Sequence, residues 1–256
     1  MRGLMENARW LRKLSADSEP DAHTLICFPH AGGSAISYGP LARALGPRFQ
    51  VFGVQYPGRQ DRRHEPLLGS VAELVAGVLP EIRELVPRTA GYSLFGHSMG
   101  AAVAFETCRL LERDETTAPA TLFASGRIAP AQPGSNAVHL YSDQELSRHL
   151  LDFGGTPAAL LADPDFRSLI LSVTRSDYRA IETYRGAPDA TVECPVVALA
   201  GDSDPATSLA DLSRWQTHTT GTFTQTSFPG GHFYIDANSH GVAELIHDRT
   251  TRTLSS

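Results

Sequence analysis

The segment Gly96-His97-Ser98-Met99-Gly100 stands between an apolar, strand-like run, YSLF, and a helix-like run, AAVAFETC. A chain that passes from strand to helix through five residues has to turn sharply. The serine at the apex is then forced into a strained backbone conformation at the end of the strand. Glycine suits both flanking positions, because a Cβ there would collide with the adjoining strand and helix. The helix that follows aims its first N–H groups, and the positive end of its dipole, at the turn. The pattern G-x-S-x-G is short enough to arise by chance, and its place between these two elements is what gives it weight. The plainer reading is a serine that only caps the helix.

The rest of the chain supplies the sheet that such a turn needs. Residues 24–28 (TLICF), 49–54, 91–95, 120–124, 195–200 and, more weakly, 222–228 read as strands. Helical spacing of apolar residues appears at 38–45, 70–86, 101–111 and 242–246. Strands alternating with helices imply a mostly parallel sheet covered on both faces. Continuous apolar runs such as VVALA fit strands that are buried on both sides. The alternation breaks between about residues 127 and 185, where only helical pieces occur. Ser142-Asp143-Gln144-Glu145 reads as a capping box, and Asp163-Pro164 as an N-cap with proline at the first helical position. An insertion of this size reads as a lid; the plainer alternative is an extra covering layer. We expect one α/β domain over 1–256, with no repeat and no low-complexity linker.

A serine at such a turn becomes a nucleophile only with a base, and the order Ser…Asp…His is the one that accompanies this turn in the α/β-hydrolase fold. His232, in Pro229-Gly230-Gly231-His232, follows the last strand and precedes the last helix, so it can face the turn. His97 flanks the serine, and neighbouring side chains on a tight turn diverge. His23, His64, His139, His149, His218, His240 and His247 read as solvent-exposed. After VVALA, Gly201-Asp202-Ser203-Asp204-Pro205 offers two carboxylates. Position barely separates them: one would orient the histidine, the other brace the turn. Pro29-His30-Ala31-Gly32-Gly33 lies at the same sheet edge. In this fold that loop supplies one oxyanion-hole N–H and the residue after the serine supplies the other, which gives the backbone amides of Ala31 and Met99. Read as a phosphate loop, the segment lacks both a P-loop lysine and dinucleotide spacing.

Composition removes other classes. With 22 basic and 28 acidic residues the net charge is −6, which argues against a sequence-independent grip on nucleic acid. Cys27, Cys108 and Cys194 show no CxxC spacing and read as free thiols. Arg2, Arg9, Arg12 and Lys13 are not followed by an apolar run of signal-peptide length, and no stretch approaches a membrane span, so the expectation is a cytoplasmic protein.

With these residues assembled, the chain resembles the type II thioesterases that accompany polyketide synthases and nonribosomal peptide synthetases. The match runs over nearly the whole length. It includes Phe28-Pro29-His30-Ala31-Gly32-Gly33, Gln55-Tyr56-Pro57-Gly58-Arg59, the serine segment, Gly154-Gly155-Thr156-Pro157, Asp177 to Tyr184, Cys194-Pro195, the Asp202–Pro205 segment and Gly230-Gly231-His232-Phe233. The resemblance implies cleavage of acyl groups from the phosphopantetheine thiol of acyl- or peptidyl-carrier proteins, releasing aberrant or stalled chains. It implies Asp204 as the acid, a mobile lid over an acyl pocket, and no metal or redox cofactor. The lid's apolar residues, among them Leu150, Leu151, Phe153, Leu160 and Leu161, would line or cover that pocket. Its arginines, Arg148, Arg167, Arg175, Arg179 and Arg185, would form a basic face for an acidic carrier. Two competing readings are a general carboxylesterase or lipase using the same triad, and a non-catalytic binding protein of the same fold.

Overall fold

The computed structural model describes residues 9–114, 118–132 and 137–253; Arg2 and residues 133–136 of the expected insertion lie outside the described residues. Among the described residues seven strands form one sheet: β1 (Leu11–Lys13), β2 (His23–Phe28), β3 (Phe49–Val54), β4 (Tyr92–His97), β5 (Leu122–Ser125), β6 (Val196–Gly201) and β7 (Phe223–Phe228). Their order across the sheet is β1-β3-β2-β4-β5-β6-β7. Only β1 runs antiparallel, with Leu11 opposite Val54; every other neighbouring pair is parallel. Three-residue β1 shows no periodicity and is an element the sequence reading missed.

Successive residues of β2 show why these strands are apolar throughout. Leu25 and Cys27 enter one core with Phe95, Phe123, Val197 and Leu199. Ile26 and Phe28 enter the other, with Leu94, Leu122 and Ala198. A side chain therefore leaves each face at alternate positions, and both faces are covered. Helices α1 (Gly39–Leu45) and, later in the chain, α9 (Ser239–Thr253) cover the first core, through Leu41, Leu45, Val242 and Ile246. Helices α2 (Val71–Leu85) and α3 (Met99–Arg113) cover the second, through Leu74, Val78, Ile82, Val103 and Leu111. Full burial of each such side chain contributes about 1.5–3 kcal/mol.

Between β5 and β6 come α4 (Asp143–Phe153), α5 (Ala158–Ala162) and α6 (Pro164–Glu182), with no strand among the described residues. The sequence-read caps form as expected. Ser142 Oγ accepts from the Glu145 amide at 3.3 Å while Glu145 returns a bond to the Ser142 amide at 2.8 Å. Asp163 Oδ1 accepts from the amides of Asp165 and Phe166 at 2.9 and 3.2 Å. Val138, Leu146, Leu150, Leu161 and Leu171 give these helices a small core of their own. Two further short α-helices occur among the described residues, α7 (Leu209–Ser213) after β6 and α8 (Tyr234–Ala237) before α9.

The three cysteines are free and buried, Cys108 and Cys194 lying 3.5 Å apart through their sulfurs. The reading of seven histidines as exposed holds for His64 and His240 and is corrected for the other five. His23 and His218 are buried, and His139, His149 and His247 are half-buried. A ring can enter the interior once one nitrogen has a partner. His23 Nε2 meets Ser93 Oγ at 2.9 Å and His218 Nδ1 meets the Ala190 carbonyl at 2.7 Å.

Candidate active site

Ser98 sits at the junction of β4 and α3 with φ 56° and ψ −118°. A non-glycine residue with that φ costs about 1–3 kcal/mol and persists because its surroundings fix it. Its amide donates to the Ser125 carbonyl at 2.8 Å, and its carbonyl accepts from Ala101 at 3.0 Å. The flanking glycines are sterically required. A Cβ on Gly96 would lie 2.2 Å from the Gly100 carbonyl oxygen, and one on Gly100 would lie 1.9 Å from the Phe28 carbonyl oxygen.

Asp204 lies just beyond the end of β6, and His232 follows β7, the neighbouring parallel strand. Two loops at the same edge of adjacent strands bring these residues together: His232 Nδ1 and Asp204 Oδ2 are 2.9 Å apart, with side chains 3% and 0% exposed. Asp204 Oδ1 is held by the Ala206 amide at 2.8 Å. Asp202 points elsewhere. Its Oδ1 accepts from the Gly230 amide at 3.0 Å and from Ser203 Oγ at 2.9 Å, so it braces the loop that carries His232.

Ser98, His232 and Ala31 line one cavity of about 450 Å³, together with Phe153, Tyr178 and Arg127. The Ala31 amide makes no hydrogen bond to a described residue. The Met99 amide is in the first turn of α3, where no intrahelical acceptor exists. Phe153, the last residue of α4, places its ring 4.7 Å from that of His232 and stacks on His149 at 5.4 Å; the His149 Nε2 meets the Tyr178 hydroxyl at 3.0 Å. The insertion therefore lies directly over the histidine.

His97 does not line this cavity. Its Nδ1 meets Ser125 Oγ at 2.9 Å, and that hydroxyl meets the Tyr234 hydroxyl at 2.7 Å. Its ring centroid is 4.9 Å from that of His232. Desolvation pushes His97 well below the usual histidine range and brings His30 to about 4. Both rings are neutral at neutral pH, so a positive charge on His232 meets no like charge from these neighbours.

The pocket wall corrects one expectation. Arg127, Gln132, His149, Glu182, Thr207 and Asp211 share the wall of the main cavity with Ile128, Val138, Phe153, Ile181 and Phe233, so the wall is mixed. A second cavity of about 140 Å³, which shares Phe153 and Tyr178 with the first, is lined in part by Leu150, Leu160 and Ile170. Leu161 packs into the insertion's own core and Leu151 is 47% exposed, and neither lines these two cavities. The basic-face expectation narrows too. Arg175 binds Asp143 at 2.7 Å and the carbonyls of His139 and Tyr141, and Arg185 folds back onto the carbonyls of Glu182 and Tyr184. Arg148 and Arg167 are exposed and make no ion pair with a described residue.

The family description "Thioesterase domain" matches residues 23–250. This chain belongs to the thioesterase family. Its fold is the α/β-hydrolase fold, and thioesterases of this kind hydrolyse thioesters. The chain is 41% identical over 244 residues to "Probable cadicidin biosynthesis thioesterase" of Streptomyces griseus, covering 94% of this chain and 66% of that protein. It is 40% identical over 244 residues to "Thioesterase PikA5" of Streptomyces venezuelae, covering 95% and 86%. Among solved structures it superposes with a TM-score of 0.86 and 41% identity on the type II thioesterase BorB from the borrelidin biosynthetic cluster, covering 94% of this chain and 97% of that one. No described helix of this thioesterase is long and apolar enough to cross a membrane.

Proposed function

We propose that this thioesterase removes acyl groups from the phosphopantetheine thiol of carrier proteins in polyketide or nonribosomal peptide assembly, using Ser98, His232 and Asp204. The 2.9 Å contact between His232 and Asp204, in the cavity that Ser98 lines, is the observation that carries this reading. Ser98 Oγ attacks the thioester carbonyl as His232 takes its proton, and Asp204 stabilises the resulting imidazolium. The carbonyl oxygen becomes an oxyanion that the amides of Ala31 and Met99 receive. Collapse breaks the carbon–sulfur bond, and His232 passes its proton to the leaving thiol. Water, deprotonated by the same ring, then releases the acid and restores Ser98. α4, α5 and α6 act as the lid. One relative is named for cadicidin biosynthesis and BorB comes from the borrelidin biosynthetic cluster, which supports a carrier-bound substrate in a biosynthetic pathway.

The test compares an acyl-carrier thioester, the matching acyl-N-acetylcysteamine and an oxygen ester of the same chain. Hydrolysis of the carrier thioester should exceed that of the oxygen ester in kcat/KM; the reverse order would make this an esterase. Charge reversal at Arg148 and Arg167 should raise KM for the carrier substrate only, with a weaker salt dependence. Equal losses on both thioesters would mean a damaged lid, and no loss on either would place docking elsewhere.

His30 provides a further check on the backbone role of its loop. Its ring packs edge-on against Phe233 at 5.0 Å and under Gly33. His30→Ala should lower kcat by at most about 10²-fold, the scale of a small misplacement. Complete loss with an unchanged Tm would give the ring itself a part in the chemistry.

A further inference from the structure

The turn that presents the Ala31 amide is held from outside by two charged residues that no step of the mechanism uses. The Gly33 amide donates to the His30 carbonyl at 2.9 Å, closing a four-residue turn with Ala31 and Gly32 in the middle. Gly32 has φ +77°, as the third residue of a type II turn requires. This leaves the Gly32 amide pointing out of the turn, and Asp177 Oδ2 on α6 accepts it at 2.8 Å. Arg59, in the loop after β3, binds the same carboxylate in two places, Nη1 to Oδ2 at 2.6 Å and Nη2 to Oδ1 at 2.9 Å. The same Nη1 donates to the Gly33 carbonyl at 3.1 Å.

Both charges are out of water, Arg59 at 6% exposure and Asp177 at 0%. Arg59 is itself fixed. Its Nε donates to the Pro57 carbonyl at 3.3 Å, its guanidinium lies 5.3 Å from the Tyr56 ring centre, and its own carbonyl accepts from Gln55 at 3.3 Å. Gln55 in turn accepts from the Ala35 amide at 3.1 Å, just beyond the turn. The helix side is equally close: a Cβ on Gly32 would lie 2.8 Å from Thr174 Oγ1, on the same face of α6 as Asp177.

A buried ion pair is poor evidence for stability, because a well-packed apolar pair often serves as well or better. An apolar pair could not, however, hold a backbone N–H and a backbone carbonyl of a turn at fixed points through short, charge-assisted bonds. An oxyanion donor works only within a few tenths of an ångström of its place. We propose that Arg59 and Asp177 are positioning residues that set the Ala31 amide for the oxyanion, so that the lid's longest helix is part of the frame of the oxyanion hole. This inference rests on the assignment of Ser98 and of the Ala31 and Met99 amides.

The experiment uses Asp177→Asn and Arg59→Lys in the full chain, with an acyl-N-acetylcysteamine substrate and an alkyl trifluoromethyl ketone as inhibitor. Ser98 Oγ adds to the ketone carbon, its proton passes to His232, and the carbonyl electron pair becomes an oxyanion. A misplaced amide therefore weakens the ketone as it slows turnover. Expected are folded variants with kcat lowered by about 10²–10³-fold, the scale of one lost oxyanion donor, and KM close to that of the parent. Across the variants the inhibition constant should rise by the same factor by which kcat/KM falls. Lysine at position 59 keeps the charge but not the fork, so its loss should be the smaller of the two. Where a single variant leaves an unpaired charge and fails to fold, Arg59→Met with Asp177→Leu removes both charges and should show the same kinetic loss. Parental kcat in any folded variant overturns the proposal. So does a fall in kcat with an unchanged inhibition constant, or a loss confined to KM. Ser98→Ala run alongside separates the two levels: turnover in that variant sinks the site assignment itself, whereas an inactive Ser98→Ala beside fully active clamp variants sinks only the clamp.

Discussion

Ser98→Ala and His232→Ala should each remove nearly all turnover, lowering kcat by about 10⁶-fold, because members of such a triad act as a unit and losing one costs about as much as losing all. The fold should survive both changes. Ser98 is fixed by backbone bonds to Ser125 and Ala101 that alanine keeps, and His232 stands in a loop beyond β7. Kinetics on an acyl-N-acetylcysteamine, with circular dichroism and Tm on the same samples, separates chemistry from folding. A His232→Ala variant with near-parental kcat would show that the base has been misassigned, and His97, 4.9 Å away between ring centres, would be the next ring to test.

The second large effect distinguishes the two aspartates. Asp204→Asn should lower kcat by about 10⁴-fold, since an amide can donate to Nδ1 and so favour the wrong tautomer of His232. The change is nearly isosteric, so KM and Tm should move little. Asp202→Asn should behave differently. Its Oδ1 holds the Gly230 amide at the surface, and asparagine retains that acceptor. A small drop in Tm with near-parental kcat is expected. The Gly230 N–H keeps the Asp202 carboxyl below the usual carboxylate range. Its stabilising effect is therefore present at neutral pH and fades only as pH falls through that lowered value. The reverse ranking of the two variants would move the orienting role to Asp202.

These two aspartates also mark where sequence reading stops. The turn at Ser98 was legible because its constraint is steric and local: Gly96 and Gly100 meet backbone atoms within a few residues or on the adjacent strand, and no other side chain fits. His232 was legible because a residue just past the last strand must emerge at the same sheet edge. Asp202 and Asp204 both follow β6 by a few residues, and only the direction of each side chain separates them, which the resemblance supplied and the backbone explains. Strand positions were read closely, since burial on both faces leaves continuous apolar runs. Three-residue β1 leaves no such trace. The polar part of the main cavity's wall could not be read, because Arg127, His149 and Asp211 come from three separate elements. The pairing of Arg59 with Asp177 spans 118 positions. Both segments stood out as motifs, but nothing in either says that they meet.

One edge of the sheet bears on how activity is lost on warming. β7 is its last strand, bonded among the described residues on one side only, to β6, and its residues are half-buried or exposed throughout. The loop after it carries His232, whereas Ser98 belongs to β4 at the centre of the sheet. Edges of this kind fray by local opening at a lower free energy than the whole domain unfolds. Fraying here separates the histidine from Asp204 and leaves the serine, its turn and both cores in place. Heat or mild denaturant should therefore silence the molecule while most of its secondary structure persists, and cooling should restore it without a folding step. Activity should then fall at a lower temperature than the Tm of the whole domain.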